Sequence, residues 1–311
     1  MSQDTPDFHR ELEKKRAKRY QEFTRRDWLK STLLAGTGLL ASVGYLSFEA
    51  QWLEVSEKEI MLKRLHPKTK LRLLHISDLH LSRAVSLSYI EKALKTGLDQ
   101  APDVCFITGD FITDKPDAAE LIKFQKLLGF FAAKVPTFAC LGNHDGGSWA
   151  SKHGGFSTNQ QVKSLLQSAK ISVLENERRE IYLKGQNIDL VGLGDFWSKE
   201  CRPHSCLDRL SAPEKSPDRP VFLLNHNPDA KEALIEYRWD MMLAGHTHGG
   251  QFKVPLENHA PFAPVKDKSM IDGTFNWKGR IIHITRGVGN LYGMRLNCRP
   301  EICLLKISGI S

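Results

Sequence analysis

The sequence predicts an α/β fold in which helices flank layered β-sheet, with two sheets packed together toward the carboxyl end. Three observations support this. From about Trp52 onward, short apolar runs alternate with stretches of helical spacing. Runs such as VCFIT at Val104–Thr108 are apolar throughout, as strands covered on both faces are. The later runs follow one another with few helices between them, which calls for a second sheet.

Taken in order, Leu71–Ile76 (LRLLHI) is the first expected strand. Leu87–Leu98 reads as a helix with Leu87, Ile90, Leu94 and Leu98 on one face. Val104–Thr108 is a strand, Ala118–Phe131 a helix and Thr137–Leu141 a third strand. A helix is expected at Gln160–Ser168, then strands near Ile171–Leu174, Glu180–Leu183 and Ile188–Gly192. The polar, cysteine-bearing residues 196–218 read as a loop. Val221–Leu224 is a strand, Asp229–Tyr237 a helix and Met241–Leu243 a strand. Residues 252–280 read as irregular, and strands Ile281–Thr285 and Ile302–Ile307 close the chain.

Ahead of this domain lies a different composition. Ser31–Phe48 is uncharged and sits at the lower edge of a membrane span. It has no polar face, so an amphipathic core helix is the weaker reading. The preceding Thr24–Lys30 (TRRDWLK) is similar to a twin-arginine export signal, with Trp28 where Phe is usual. Residues 1–51 are therefore expected to be a basic signal or membrane anchor, and 52–311 the folded domain. Phe48-Glu49-Ala50 is a poor cleavage site, which favours a retained anchor. Basic residues before the segment place the bulk of the chain on the extracytoplasmic face; a peripheral anchor on the cytoplasmic face is the alternative.

The chain is 311 residues with a formal net charge of +8, 41% hydrophobic and 26% charged, the composition of a globular protein. The excess charge is mild and spread, so no nucleic-acid partner is expected. Six cysteines make no disulfide scaffold or zinc knuckle, and the pairs Cys201/Cys206 and Cys298/Cys303 are read as free thiols, with a disulfide in either pair as the alternative if the domain is exported.

The chemistry-bearing residues cluster after apolar strands: Asp78-Leu79-His80, Gly109-Asp110, Gly142-Asn143-His144-Asp145, Asn225-His226 and Gly245-His246-Thr247-His248. Carboxyl ends of strands are where open α/β sheets build sites. In an extended segment i and i+2 project to one side, so Asp78 with His80, and His246 with His248, are expected to share a site. The glycines are expected to let the backbone turn as it leaves each strand. Carboxylate, imidazole and amide oxygen form a mixed O/N donor set suited to Mn²⁺, Fe, Zn²⁺ or Mg²⁺.

In this order the blocks resemble the signature of the calcineurin-like metallophosphoesterase superfamily: D-x-H, G-D, G-N-H-D/E, an isolated H and G-H-x-H. The likeness spans roughly residues 70–308. It implies a two-sheet β-sandwich flanked by helices and a phosphoric ester hydrolase with two divalent metal ions. Asp78, His80, Asp110 and His248 would hold the first; Asp110 would bridge to the second, completed by Asn143, His226 and His246. His144 would contact the phosphate and protonate the leaving group, with Asp145 orienting it. A water acidified between the two cations would attack phosphorus in line.

The leading helix and Arg295–Ile302 (RLNCRPEI) resemble the bacterial, membrane-associated YkuE/YaeI/LpxG-like branch. That branch implies a phosphodiester or pyrophosphate substrate, with UDP-2,3-diacylglucosamine cleavage in lipid A synthesis as the specific alternative. Arg286 and Arg295 would either meet a second phosphate or form ion pairs. The apolar residues Phe252, Val254, Leu256, Pro261, Phe262 and Val265 would either contact acyl chains or the bilayer, or pack on their own domain. A non-catalytic metal-binding module is the competing class.

Overall fold

A computed structural model describes residues 10–11, 25–211, 219–254 and 260–310. Most of the basic lead, Thr24 of the twin-arginine-like motif, and Leu256 lie outside the described residues. The chain divides into two compact units, Met1–Tyr45 and Leu46–Ser311, so the division falls six residues before the expected 51/52 boundary.

Arg25–Glu49 is one α-helix. Within it Arg26–Glu49 has a mean hydropathy of 1.3, long and apolar enough to cross a membrane. Leu33, Leu34, Leu39 and Leu40 are all exposed. At 1.5 Å per residue the helix is about 37 Å long, more than the ~30 Å hydrocarbon thickness of a bilayer.

The second unit is a pair of six-stranded sheets. The first contains β1 (Glu54–Leu62), β2 (Lys70–Ile76), β3 (Val104–Thr108), β4 (Thr137–Cys140), β5 (Ser172–Val173) and β12 (Glu301–Gly309), in the order β1-β12-β2-β3-β4-β5. β2 to β5 are parallel, and β12 lies antiparallel to β2 but parallel to β1. The second contains β6 (Glu177–Leu183), β7 (Gln186–Gly192), β8 (Val221–Leu224), β9 (Met241–Ala244), β10 (Gly273–Trp277) and β11 (Arg280–Ile284), in the order β10-β11-β9-β8-β7-β6. Its central strands β7, β8, β9 and β11 are parallel.

Strand periodicity explains the layers. In β2, Leu73 faces one side and Leu74 the other, and both are fully buried. Leu73 joins Phe106, Phe222, Leu224, Met241, Leu243 and Leu305 in the layer between the sheets. Phe106 meets Phe138 and Phe222 edge-on there, at centroid distances of 5.9 and 6.5 Å. Leu74 and Ile76 turn outward to helices Leu87–Leu98, Ala118–Ala132 and Gln160–Ser168, which bury Ile90, Phe124, Leu128 and Leu166 against them. The outer face of the second sheet packs Leu207, Leu210, Leu234 and Trp239.

Several expectations shift. β1 and β10, both edge strands, carried no apolar run: β1 reads EVSEKEIML and leaves Glu57, Lys58 and Glu59 exposed, as unpaired edges commonly do. The 196–218 stretch contains a helix, His204–Ser211, which buries Cys206, Leu207 and Leu210 on one face. The expected helix at Asp229–Tyr237 is a 3₁₀ turn, Pro228–Leu234, opened by Pro228 and capped by the Asn227 side chain. In the 252–280 stretch Ala260, Ala263, Val265 and Ile271 pack on one another, while Phe262 and Val254 stay exposed. All six cysteines are free thiols.

Candidate metal centre

The carboxyl ends of β2, β3, β4, β8 and β9 bring Asp78, His80, Asp110, Asn143, His144, His226, His246 and His248 to one place. Three donor triads form there: Asp78/His80/His248, His80/Asp110/His144 and Asp110/His226/His246, each with ligand atoms within 4.8 Å of one another. Asp110 Oδ2 lies 3.1 Å from His226 Nε2 and 3.4 Å from His80 Nε2. Asp78 Oδ1 lies 3.5 Å from His248 Nε2. Asp110 therefore stands between a group containing Asp78 and His248 and a group containing His226 and His246.

The backbone route differs from the expected one. Asp78, His80, Asp110, His246 and His248 all have φ between 50° and 69°. They are left-handed residues, not members of an extended segment, and side-chain convergence comes from these turns rather than from strand alternation. Such conformations cost about 1–3 kcal/mol each in a non-glycine residue and persist where surrounding contacts impose them. Those contacts are visible: Asp78 N–H donates to Gly109 O at 2.9 Å and His80 N–H to Asp110 O at 3.0 Å. Of the three glycines, only Gly109 takes a positive φ, 88°. Gly142 and Gly245 supply space instead, since a Cβ there would overlap Asp110 Oδ1 and Asp78 Oδ2 respectively.

Each histidine presents a defined nitrogen. His226 Nδ1 donates to Thr108 O at 2.6 Å, His144 Nδ1 to Thr113 O at 2.7 Å, and His246 Nε2 to Pro264 O at 3.1 Å. The opposite nitrogens of His226 and His246, Nε2 and Nδ1, lie 3.2 Å apart, facing one point. His80 Nδ1 bonds Thr113 Oγ1 at 3.0 Å, so Thr113 holds both His80 and His144. Nothing in the sequence singles out Thr113.

Charge follows the same pattern. Burial alone would raise the Asp78 and Asp110 carboxyls, but neighbouring histidines, His248 and His226 foremost, hold both well below the usual carboxylate range. Burial and the charge on His226 push His246 down to about 3, and burial pushes His248 down as well. Burial opposes a charge on His226, yet the Asp110 carboxylate raises it to about 10. Ionised carboxylates beside the neutral imidazoles of His246 and His248 are a metal-binding protonation state, and the proton held on His226 is one a cation would displace. Asn143 Oδ1 is buried at the centre with no hydrogen-bond partner. An orphaned amide oxygen among carboxylate and imidazole donors fits a divalent cation.

The hydrogen bonds of Asp145 among the described residues go to backbone amides, not to His144. Its carboxylate, fully buried, accepts from the backbone N–H groups of Asp110 (2.9 Å), Phe111 (2.7 Å) and Gly142 (2.8 Å). It ties together the two loops that carry Asp110 and Asn143. Of the two readings held for Arg286 and Arg295, Arg286 takes the ion pair, and Arg295 pairs with no carboxylate among the described residues. Arg286 pairs with Glu54 and Glu301, at 3.1 and 3.4 Å, and Arg295 is fully enclosed among main-chain carbonyls. Two tryptophans stand over the centre that sequence reasoning missed: Trp149 meets the His144 ring edge-on at 4.6 Å and Trp197 the His246 ring at 4.3 Å.

Comparison with known proteins agrees with this geometry. The chain is 37% identical to phosphodiesterase YaeI of Escherichia coli over 285 residues, covering 91% of this chain and 99% of that one. It is 26% identical to the UDP-2,3-diacylglucosamine pyrophosphatase LpxG of Chlamydia trachomatis, covering 76% and 83%. The metallophosphoesterase YkuE of Bacillus subtilis is 29% identical, covering 92% and 98%. The family model for calcineurin-like phosphoesterases matches residues 71–250, the stretch that supplies every clustered side chain from Asp78 to His248. A match of that extent makes the chain a member of the calcineurin-like phosphoesterase family, hydrolases of phosphoric esters.

Proposed function

We propose that the chain is a dinuclear metal-dependent phosphodiesterase or pyrophosphatase that works at a membrane surface. The observation that carries this reading is the sharing of Asp110 between two donor sets, with the orphaned Asn143 Oδ1 beside it. Asp78, His80, Asp110 and His248 would hold one ion, and Asp110, Asn143, His226 and His246 the other, as Mn²⁺, Fe, Zn²⁺ or Mg²⁺. Bound there, divalent cations would supply Lewis acidity to the phosphoryl oxygens and to the attacking water.

The protein's own residues do the rest. Thr113 O fixes the His144 ring by accepting its Nδ1–H, so Nε2 would take up a proton to form the imidazolium and then give that proton to the departing oxygen. The Asp145 carboxylate keeps the Asp110 and Asn143 loops in register. Trp149 and Trp197 shield the rings of His144 and His246 from water.

A lipid-linked substrate is supported by a cavity of about 520 Å³ beside His248, lined by Phe252, Phe262, Pro264, Leu291 and Tyr292. Phe262 and Tyr292 at its rim are 76% and 69% exposed, an apolar mouth rare on a surface that meets only water. The apolar helix Arg26–Glu49 would hold the enzyme at the bilayer, and the basic residues before it favour an extracytoplasmic catalytic unit. Export of reporter fusions tests that orientation. A UDP-lipid substrate would require the cytoplasmic face instead.

The test is hydrolysis of bis-p-nitrophenyl phosphate by the full chain in detergent with Mn²⁺. Activity abolished in Asp110→Ala and reduced in His144→Ala is expected. Full metal occupancy with no hydrolysis of any diester or pyrophosphate would convert the reading to a binding module. Phe262→Asp should lower kcat/KM for an acyl-bearing diester while sparing the small chromogenic one.

A further inference from the structure

Among the described residues Arg295 is the largest fully buried side chain, yet no carboxylate there pairs with it. A guanidinium has five N–H donors in a rigid plane, and burying its charge is costly unless each donor is used. Here most partners are main-chain carbonyls; Nη2 also lies 3.5 Å from His248 Nδ1, and Nε has no partner among the described residues. Nη1 donates to His248 O at 3.2 Å and Cys298 O at 3.1 Å. Nη2 donates to Arg286 O at 2.8 Å, Gly287 O at 3.3 Å and Gly289 O at 2.5 Å.

Those carbonyls belong to two segments with one thing in common. His248 is itself a candidate ligand. The 286–289 loop backs the other ligands of the same ion: Val288 N–H donates to Ser77 O at 3.0 Å and Gly289 N–H to Asp78 O at 2.6 Å. The loop lies so close that a Cβ on Gly287 would meet Asp78 Cβ at 2.7 Å, and one on Gly289 would meet His80 Cβ at 2.8 Å. His248 opens a short 3₁₀ turn whose carbonyl also accepts the Gln251 N–H, and Gly287 O also accepts the Glu301 N–H, so the guanidinium gathers the carbonyls of two segments that are only partly served by backbone donors. Among the described residues no hydrogen bond from Arg295 reaches His226 or Asn143.

We propose that Arg295 is a positioning residue that clamps the Asp78/His80/His248 half of the metal centre, and not a substrate-binding arginine. The proposal rests on the dinuclear reading given above. Outer groups that orient ligands typically change metal affinity by about 10–100-fold when removed. The fork matters more than the charge, because one ammonium cannot span the carbonyls of residues 248, 286, 287, 289 and 298.

The experiment is Mn²⁺ titration of the full chain in detergent, read by electron paramagnetic resonance, for wild type, Arg295→Lys and Arg295→Met. Two ions per wild-type chain are expected. In both variants one site should weaken by about 10–100-fold while the other keeps its affinity, and Lys should not rescue. Unchanged binding of both ions in the two variants overturns the proposal. So does equal loss at both sites, the mark of a general packing role. Rescue by Lys overturns the fork argument and with it the clamp. A wild type that binds no ion overturns the metal-centre reading and this inference together. Should Arg295→Met fail to fold, Arg295→Gln carries the same readings.

Discussion

Asp145 separates two mechanisms that an active-site inventory would merge. If it oriented His144, replacing it would slow catalysis and leave the metal-free fold alone. The structure instead gives its carboxylate three backbone donors and no bond to His144. Asp145→Asn keeps one acceptor oxygen and turns an NH₂ toward at least one buried N–H. A buried donor without an acceptor costs about 1–3 kcal/mol, with lost charge-assisted bonds at the top of that range, so about 2–3 kcal/mol is expected. Asp145→Ala orphans all three amides, and about 3–6 kcal/mol follows on the same basis. Burial and the neighbouring Asp110 push the Asp145 carboxyl up to about 7, so the comparison belongs at pH 8.5, where it is ionised. Urea unfolding of the metal-free proteins is the assay; with a slope of about 2–3 kcal/mol/M the Asn variant should shift the midpoint by about 1 M. An unchanged midpoint together with a kcat as low as that of His144→Ala would refute the reasoning.

Four shorter predictions accompany it. His226 is held at about 10 in the metal-free protein against an ordinary 6.5, so the stability from its pairing with Asp110 is full below about pH 6.5 and lost as pH rises toward 10. Because a cation replaces that proton, metal affinity should rise over the same window, and calorimetry in buffers of different ionisation enthalpy should detect proton release. His144→Ala should retain both ions but lose about 10²–10⁴ in kcat, measured under saturating Mn²⁺. Gly245→Ala should bind fewer ions per chain by elemental analysis, since its methyl would overlap Ser77 Oγ and Asp78 Oδ2. Phe106→Ala, between the sheets and outside the donor cluster, should cost about 3–5 kcal/mol in urea unfolding with the activity of the folded fraction intact.

What the sequence made legible follows from where burial leaves a mark. Leu87–Leu98, Val104–Thr108, Gln160–Ser168 and Val221–Leu224 appear in the structure with the expected bounds, because their apolar spacing is dictated by the layers they pack against. β1 and β10 left no such mark, since an edge strand buries little. The clustered side chains were readable because five short motifs each follow a strand. Their supports were not. Thr113 is a lone threonine, and the roles of Asp145 and Arg295 depend on backbone atoms brought together from up to 47 residues away, Arg295 reaching Cys298 nearby but also His248. Sequence carries residue types; it does not display which carbonyl or amide lies opposite.

The final turn of the apolar helix bears on how this protein can be shortened or processed. Leu46 O accepts the Arg295 N–H at 3.0 Å, and the buried Glu49 carboxylate accepts the Cys298 N–H at 2.6 Å. Cys298 in turn touches the His248 carbonyl through its sulfur, at 3.1 Å. A peptidase cut after Ala50, or a recombinant chain begun at Trp52, would strip the acceptors from two amides that flank the clamp on His248. The apolar helix thus ends as the last tether of the hydrolase unit, and a shortened enzyme with an intact centre has to begin no later than Leu46.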